Sequence, residues 1–370
     1  MLHRYCTSKK GKLHRKAKIF TNDEHKININ DIDFHAVKII NHLNDYGFKA
    51  YIVGGAVRDL LLGRKPKDFD IATDAFPQKI RKLFRNSRII GRRFKLVHIY
   101  FRKNKIIEVS TFRSEKSSPN INHYGSLGED AFRRDFSANA LYYCPRNEHL
   151  IDYVDGFKDI QNKTLRILGN AKESFVEDPV RMIRAIKYAS ILGFNFQRSV
   201  EKNLKKCRYE LHRCSKERLT EEFYKILKSG HSVDILKNAY DYKIFEVLLP
   251  SFKEYFSNSE SEIAPLIQRL KELDNEVNSS PLIQRSDMLA IICMDFAKDN
   301  PEWKYGPLYP IQQFLRNILN PLVPSNKDLI STAHAIQRAL RYKRKKQKKV
   351  AKQNYQRVLM RKSKVSTFSE

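Results

Sequence analysis

Apolar positions recur at helical spacing between Asp31 and about Tyr46, where Phe34, Val37, Ile40 and Leu43 mark one face of a predicted helix. A short apolar run, Tyr51-Ile52-Val53, then reads as a strand. Gly54 and Gly55 turn the chain into a helical run, Ala56 to Leu62, closed by Gly63 at its C-terminal end. After a basic turn containing Pro66, the segment Asp68-Phe69-Asp70 leads into a further apolar pair. Residues 89–101 and 106–113 carry the pattern of two strands. The Ser-, Asn-, Pro- and Gly-rich stretch from Ser114 to Glu129 reads as a loop. Beyond it, Ser137 to Tyr143 is helix-like and residues 151–169 resemble a hairpin connection with a turn at Asp155-Gly156. From Glu173 onward the pattern is helical, with aromatics and leucines up to about residue 340 and a break at Pro301, Pro307 and Pro310.

Charge changes this picture at the two ends. The chain has 370 residues, enough for two or three domains, and a net charge of +29, which calls for a polyanionic partner and favours nucleic acid over an anionic membrane. Residues 1–30 are polar and basic and read as a mobile arm; the first 22 lack acids, a feature that a transit peptide would share. From Arg341 to Lys364 there are 12 basic residues and no acid, the composition of a mobile tail that binds RNA by releasing counterions. No apolar run approaches the ~20 residues of a spanning helix, so a soluble protein is expected. The cysteines at 6, 144, 207, 214 and 293 have no zinc-type spacing and read as reduced intracellular thiols.

The chemistry concentrates around residues 52–74. In a strand, Asp68 and Asp70 would share one face, and two adjacent carboxylates repel each other unless a cation lies between them. Magnesium suits such a pair, with substrate phosphate oxygens completing its shell. Gly54 and Gly55 let the backbone approach a ligand, the helix behind them offers free N–H groups to an anion, and Arg58 is within reach of it. Either half alone is common, as an ordinary turn or a solvated acidic loop; a phosphate cradle followed by a metal pair points to nucleoside triphosphate chemistry. Glu108, among apolar neighbours, is equally a third acid or an edge-strand charge.

A second constellation lies at residues 173–194. Asp178 before Pro179 is an ordinary helix start, and an ion pair with Arg181 would explain two of the charges there. The chemical reading is that Asp178 and Arg181 meet a base edge. A carboxylate accepts a hydrogen bond and a guanidinium donates, which suits adenine and cytosine and rejects guanine and uracil. Glu217 and Arg218 either brace these residues or form a surface pair.

The segments GGAVRD and LLLGRKPKDFDIATDA, with Arg133-Arg134-Asp135 and EDPVRMIRAI later in the chain, resemble the signature of the class II transfer-RNA nucleotidyltransferase and bacterial poly(A) polymerase family over residues 45–230. The Gly91-Arg92-Arg93-Phe94 block and the basic C-terminus are similar to those of the polyadenylating members rather than the CCA-adding ones. The resemblance implies that Arg134 contacts the nucleotide and Asp135 joins the catalytic carboxylates, that residues 151–169 join head to neck, and that Asp178, Arg181 and Arg184 serve base selection.

The expected fold is an α/β nucleotidyltransferase head with a small mixed sheet, followed by an all-α neck and body and a basic, disordered tail. The expected boundaries are 1–30 for the arm, 31–150 for the head, 151–230 for the neck, 231–340 for an RNA-binding body and 341–370 for the tail. The expected reaction is template-independent addition of AMP from ATP to RNA 3′ ends, with two magnesium ions, or manganese in their place, on Asp68 and Asp70. Gly54, Gly55, Arg58, Arg134, Asp178, Arg181 and Arg184 would bind the nucleotide. Alternatives are a CCA-adding enzyme and, in another class, a non-catalytic RNA-binding protein. A monomer in the bacterial cytoplasm, with RNA and ATP as partners, is expected; the sequence does not identify RNA-decay proteins that act with it.

Overall fold

The computed structural model describes residues 2–7, 13–91, 95–102, 104–114, 123–256, 260–279 and 283–341. The chain divides into two compact units. One comprises Met1–Glu177 with Leu192–Asn203, the other Asp178–Ile191 with Leu204–Glu370.

The first unit is built on one mixed sheet. Its strands are β1 (Leu2–Thr7), β2 (Leu13–Phe20), β3 (Ala50–Val53), β4 (Asp70–Thr73), β5 (Ser87–Ile90), β6 (Leu96–Tyr100), β7 (Ile106–Thr111), β8 (Leu141–Cys144) and β9 (His149–Asp152). Their spatial order is β1-β2-β9-β8-β3-β4-β7-β6-β5, with β4 and β7 parallel and the other neighbours antiparallel. Strands β3 and β4 therefore lie inside the sheet, and their buried Val53 and Ala72 join Phe112, Leu127, Ala131, Tyr142 and Ile151 in one core cluster.

Several sequence expectations are corrected here. Where a mobile arm is predicted, residues 2–7 and 13–20 form an antiparallel hairpin that extends the sheet. Strand β2 pairs with β9, with Ile19 opposite Ile151, and Ala17 is buried, so the basic residues decorate a strand rather than a loose segment. The first long helix runs Phe34–Asp45, capped by Asp33, whose carboxylate accepts from the His35 N–H at 2.8 Å. Its buried face is Ala36, Ile39, Ile40 and Leu43, while Phe34 is 71% exposed. Phe34 sits at the first helical position, where the turn that would set it against the sheet has not yet closed.

The stretch read as a loop contains a helix, Leu127–Phe132, started by a reciprocal cap between Ser126 and Glu129. The helix-like run Ser137–Tyr143 is instead a 3₁₀ turn, Ser137–Asn139, followed by β8, whose Leu-Tyr-Tyr-Cys residues are all buried between β3 and β9. The expected hairpin at 151–169 is the end of β9, a helix at Gly156–Gln161 and a short strand, Thr164–Leu165, parallel to Asn195–Phe196. The Asp152 carboxylate shapes that connection by accepting from the N–H groups of Val154, Gly156 and Phe157.

The described residues of the second unit are helical, from Val180–Leu192 to a last helix at residues 326–341. The cysteines at 144, 207, 214 and 293 are free thiols. No helix among the described residues is long and apolar enough to cross a membrane. The Arg92-Arg93-Phe94 block and the basic stretch beyond Arg341 lie outside the described residues.

Candidate active site

The site in the first unit grows from the turn between β3 and the helix Gly55–Leu61. Gly54 holds φ at 73°, a left-handed conformation that side chains rarely adopt. A Cβ added there would lie 3.6 Å from Arg134 Nη1 and 4.0 Å from Asp70 Oδ2, so the turn brings its bare backbone against an arginine and a carboxylate at once. Asp70 is the first residue of β4, opposite Val53 on one side and Glu108 on the other. Asp68 precedes the strand, so the two acids meet through a loop and not through strand alternation, a second departure from the expected geometry. Asp70 is open to solvent on one side yet closely surrounded on the others. Its carboxyl is pushed up to about 6 by burial, then by the charge of Glu108 and also by Asp68, with Arg134 pulling the other way.

Glu108 lies on an interior strand, which removes the edge-charge reading; His98 Nε2 is 3.3 Å from its Oε2. Asp135, given the third carboxylate position by resemblance, accepts through Oδ1 from the Phe136 N–H at 2.9 Å and so serves its own turn. Glu108, the competitor of Asp135 for the third acid, stands opposite Asp70 in the β4–β7 pairing.

Arg134 is held by residues that the sequence did not single out. Asp130, on the helix Leu127–Phe132, is 2% exposed and forms ion pairs with Arg133 at 2.9 Å and Arg134 at 3.0 Å. Tyr142 donates its hydroxyl to Asp130 at 2.7 Å and accepts from Arg134 Nε at 3.1 Å. Arg134 Nη1 also donates to the Asn139 carbonyl at 3.4 Å. Burial alone would raise the Asp130 carboxyl, but Arg134, Arg133 and the Tyr142 and Arg113 donors hold it well below the usual carboxylate range. Arg58, expected to reach a bound phosphate, is buried. It donates to Asn139 Oδ1 at 2.7 Å and to Asp59 at 2.8 Å, and its guanidinium lies 3.4 Å from where a Gly55 Cβ would stand. It shapes the floor under the glycines. The available signals for the missed group were the Ser126–Glu129 capping pattern and the four-residue spacing of Asp130 and Arg134.

Among the described residues no group of three or more His, Cys, Asp or Glu side chains is arranged to hold a metal ion. Asp68 and Asp70 nevertheless fit a hard cation, because the repulsion that raises Asp70 is relieved when one binds and substrate oxygens can complete the shell.

In the second unit, Asp178 precedes the helix Val180–Leu192, and its carbonyl accepts from the Arg181 N–H at 3.0 Å, as at a helix start. Its carboxylate faces Arg218 at 3.0 Å, on the helix Lys216–Leu227. Nine residues further, buried Lys187 pairs with Glu222 of the same helix at 2.8 Å. Two ion pairs thus fix the helix that carries Arg181 and Arg184, and Arg218 acts as the brace left open by the sequence. Both arginines are partly exposed, and Arg184 lies over the Tyr188 ring at 5.9 Å.

The family model described as "Poly A polymerase head domain" matches residues 50–166, and that described as "Probable RNA and SrmB- binding site of polymerase A" matches residues 193–256. Poly(A) polymerase I of Salmonella typhimurium is 38% identical over 290 residues, covering 74% of this chain and 62% of the relative. The CCA-adding enzyme of Lactobacillus helveticus is 32% identical over 283 residues, covering 74% of this chain and 68% of the relative. Among solved structures, the CCA-adding enzyme of Bacillus stearothermophilus in complex with CTP has a TM-score of 0.60 at 28% identity, covering 82% of this chain and 69% of that one. The chain spans 58–62% of the length of the poly(A) polymerase I relatives it matches. With the head-domain model matched over residues 50–166 and a CCA-adding relative 32% identical over 68% of its own length, the chain belongs to the transfer-RNA nucleotidyltransferase and poly(A) polymerase family.

Proposed function

We propose that the protein adds AMP from ATP to RNA 3′ ends without a template, releasing pyrophosphate. The observation that carries this reading is the convergence of Gly54, Asp70 and Arg134 at one turn, in a chain more similar to poly(A) polymerase I than to the CCA-adding enzyme named above. Asp68 and Asp70 would hold magnesium, with manganese as its substitute and Glu108 as the neighbouring third acid. When bound, such ions activate an attacking hydroxyl and steady the leaving phosphates. Gly54 admits the triphosphate to the backbone, and Arg134, fixed by Asp130 and Tyr142, neutralises it.

Asp178 and Arg181 choose the base by offering one acceptor and one donor, with Arg184 in support and Arg218 holding the carboxylate in place. Chemistry belongs to residues 31–150, base choice to 151–230 and RNA binding to 231–340. In this reading the protein acts as a monomer in mRNA 3′-end processing and turnover, in the cytoplasm of a bacterium.

An extension assay tests the reaction, offering each nucleotide singly to an unstructured RNA and to a transfer RNA without its CCA end. Long ladders with ATP alone support polyadenylation. Addition that needs CTP and is confined to the transfer RNA makes the protein a CCA-adding enzyme. No incorporation with magnesium or manganese leaves an RNA-binding protein.

The base-choosing group carries its own prediction. Arg218→Ala removes an ion pair whose arginine is largely exposed and whose carboxylate is partly buried, and should cost about 1 kcal/mol of stability. Freed from its partner, the Asp178 carboxylate loses its fixed orientation. Misincorporation of GTP and UTP relative to ATP should rise several-fold, read in single-nucleotide competition; unchanged selectivity would remove the brace from the mechanism.

A further inference from the structure

A cleft of about 780 Å³ opens on the first unit, between the loop Gly63–Phe69, the segment 30–33 ahead of the first long helix, and the turn leading into β7. Its volume is within the ~300–1,000 Å³ of ligand-sized sites. Ile32, Leu60, Ile106 and Ile107 give it an apolar floor, and Arg64, Lys65 and Lys67 a basic rim, with exposed Asp31 on the side of the segment 30–33. Asp33 is taken by its cap on the helix and by Lys105. Lys65 and Lys67, both exposed, have no side-chain partner among the described residues. Asp68, one of the two acids beside the reaction centre, lies in the wall of this same cleft.

From these features we infer that the cleft binds the 3′-terminal segment of the RNA acceptor. Bases and riboses rest on the apolar floor, phosphates meet Lys65 and Lys67, and the terminal hydroxyl is led past Asp68 toward Asp70. The Gly54–Arg134 turn is left to the triphosphate, so the two substrates reach Asp70 by separate routes. A free phosphate would be served by the lysines alone. An apolar floor under a cationic rim matches a single strand, whose bases need a dry surface as well as counter-charge. This inference rests on the polymerase reading for its substrate but is tested without catalysis.

Binding of a short oligoadenylate to the full chain is measured in EDTA, without ATP, over a range of salt. The Lys65→Ala/Lys67→Ala variant should bind more weakly, and its plot of log affinity against log salt should be shallower by about 1.4, for two single-strand phosphate contacts at ~0.7 each. Lys65→Arg/Lys67→Arg should restore both. Lys79→Ala/Lys82→Ala, which removes two exposed lysines from the helix Pro77–Leu83, should leave binding near wild type. Equal losses in the two alanine pairs, or no loss at Lys65 and Lys67, would overturn the cleft as an RNA site. If the wild type adds no nucleotide to any RNA, the polymerase reading fails while the binding result still decides the cleft. Where extension is seen, the variant's KM for RNA should rise while that for ATP stays unchanged.

Discussion

Asp70→Asn should lower AMP incorporation by about 10³-fold or more, the upper range for losing one electrostatic element of a transition-state site. The substitution keeps the shape of β4 and its pairing with β3 and β7, so the protein should fold. It removes a carboxylate that lies beside the glycine turn and feels the charges of both Glu108 and Arg134. ATP should still bind, because Gly54, Arg134 and the residues in the second unit are untouched. Single-turnover extension and equilibrium ATP binding separate the two effects, and normal incorporation would sink the metal site.

Stability gives an independent reading of the same residue. The folded carboxyl sits near 6, above its ordinary value of about 3.9, so its ionisation opposes folding. The contribution to stability is full below about pH 4 and is lost as pH rises through 6. In EDTA, Asp70→Asn should therefore melt higher than the wild type at pH 8 and at the same temperature at pH 4. Added magnesium should raise the wild-type melting temperature more than that of the variant.

Asp130→Ala should destabilise the first unit by roughly 3–5 kcal/mol, because it leaves Arg133 and Arg134 without their shared buried partner. Chemical denaturation measures this. Asp130→Asn keeps the volume and one acceptor, so more of it should fold; incorporation should still fall by roughly 10²-fold as Arg134 loses its fixed position.

The acid side of the stability curve offers a check. The Asp130 carboxyl is held below its ordinary value, so its contribution is full above about pH 4 and disappears as pH falls through the lowered value. The stability gap between wild type and Asp130→Asn should be flat from pH 5 to 8 and narrow in acid. A gap independent of pH down to the acid transition would mean that the ion pairs contribute nothing.

What could be read from the sequence was local. The strand, glycine turn, helix and following strand around residues 50–73 are encoded by neighbours within a few positions, and so is the helix after Pro179. The first hairpin was not legible, because its stabilising partner, β9, lies some 130 residues away in the chain. For a related reason β8 looked helical: its interior place in the sheet depends on pairing with β3, which is far away in the chain and which no window around Leu141 reveals.

The acids show a similar limit. The pairing of Asp70 with Glu108 depends on a parallel alignment of β4 and β7, and the hold on Arg134 on three segments meeting at Asp130. Spacing alone put Asp68 and Asp70 on one strand face; the structure joins them through a loop.

The hairpin at the start of the chain also guards the sheet. Strand β9 bonds to β2 on one side and β8 on the other, and β1 forms the rim beyond. A truncation beginning at residue 21, drawn on the assumption that a basic leader can be discarded, would strip β9 of a partner and bare its peptide groups beside Ile151. Naked strand edges recruit other chains. Such a shortened protein should come out of cells as soluble aggregates or inclusion bodies, and the loss would be mistaken for a requirement of the leader in RNA binding.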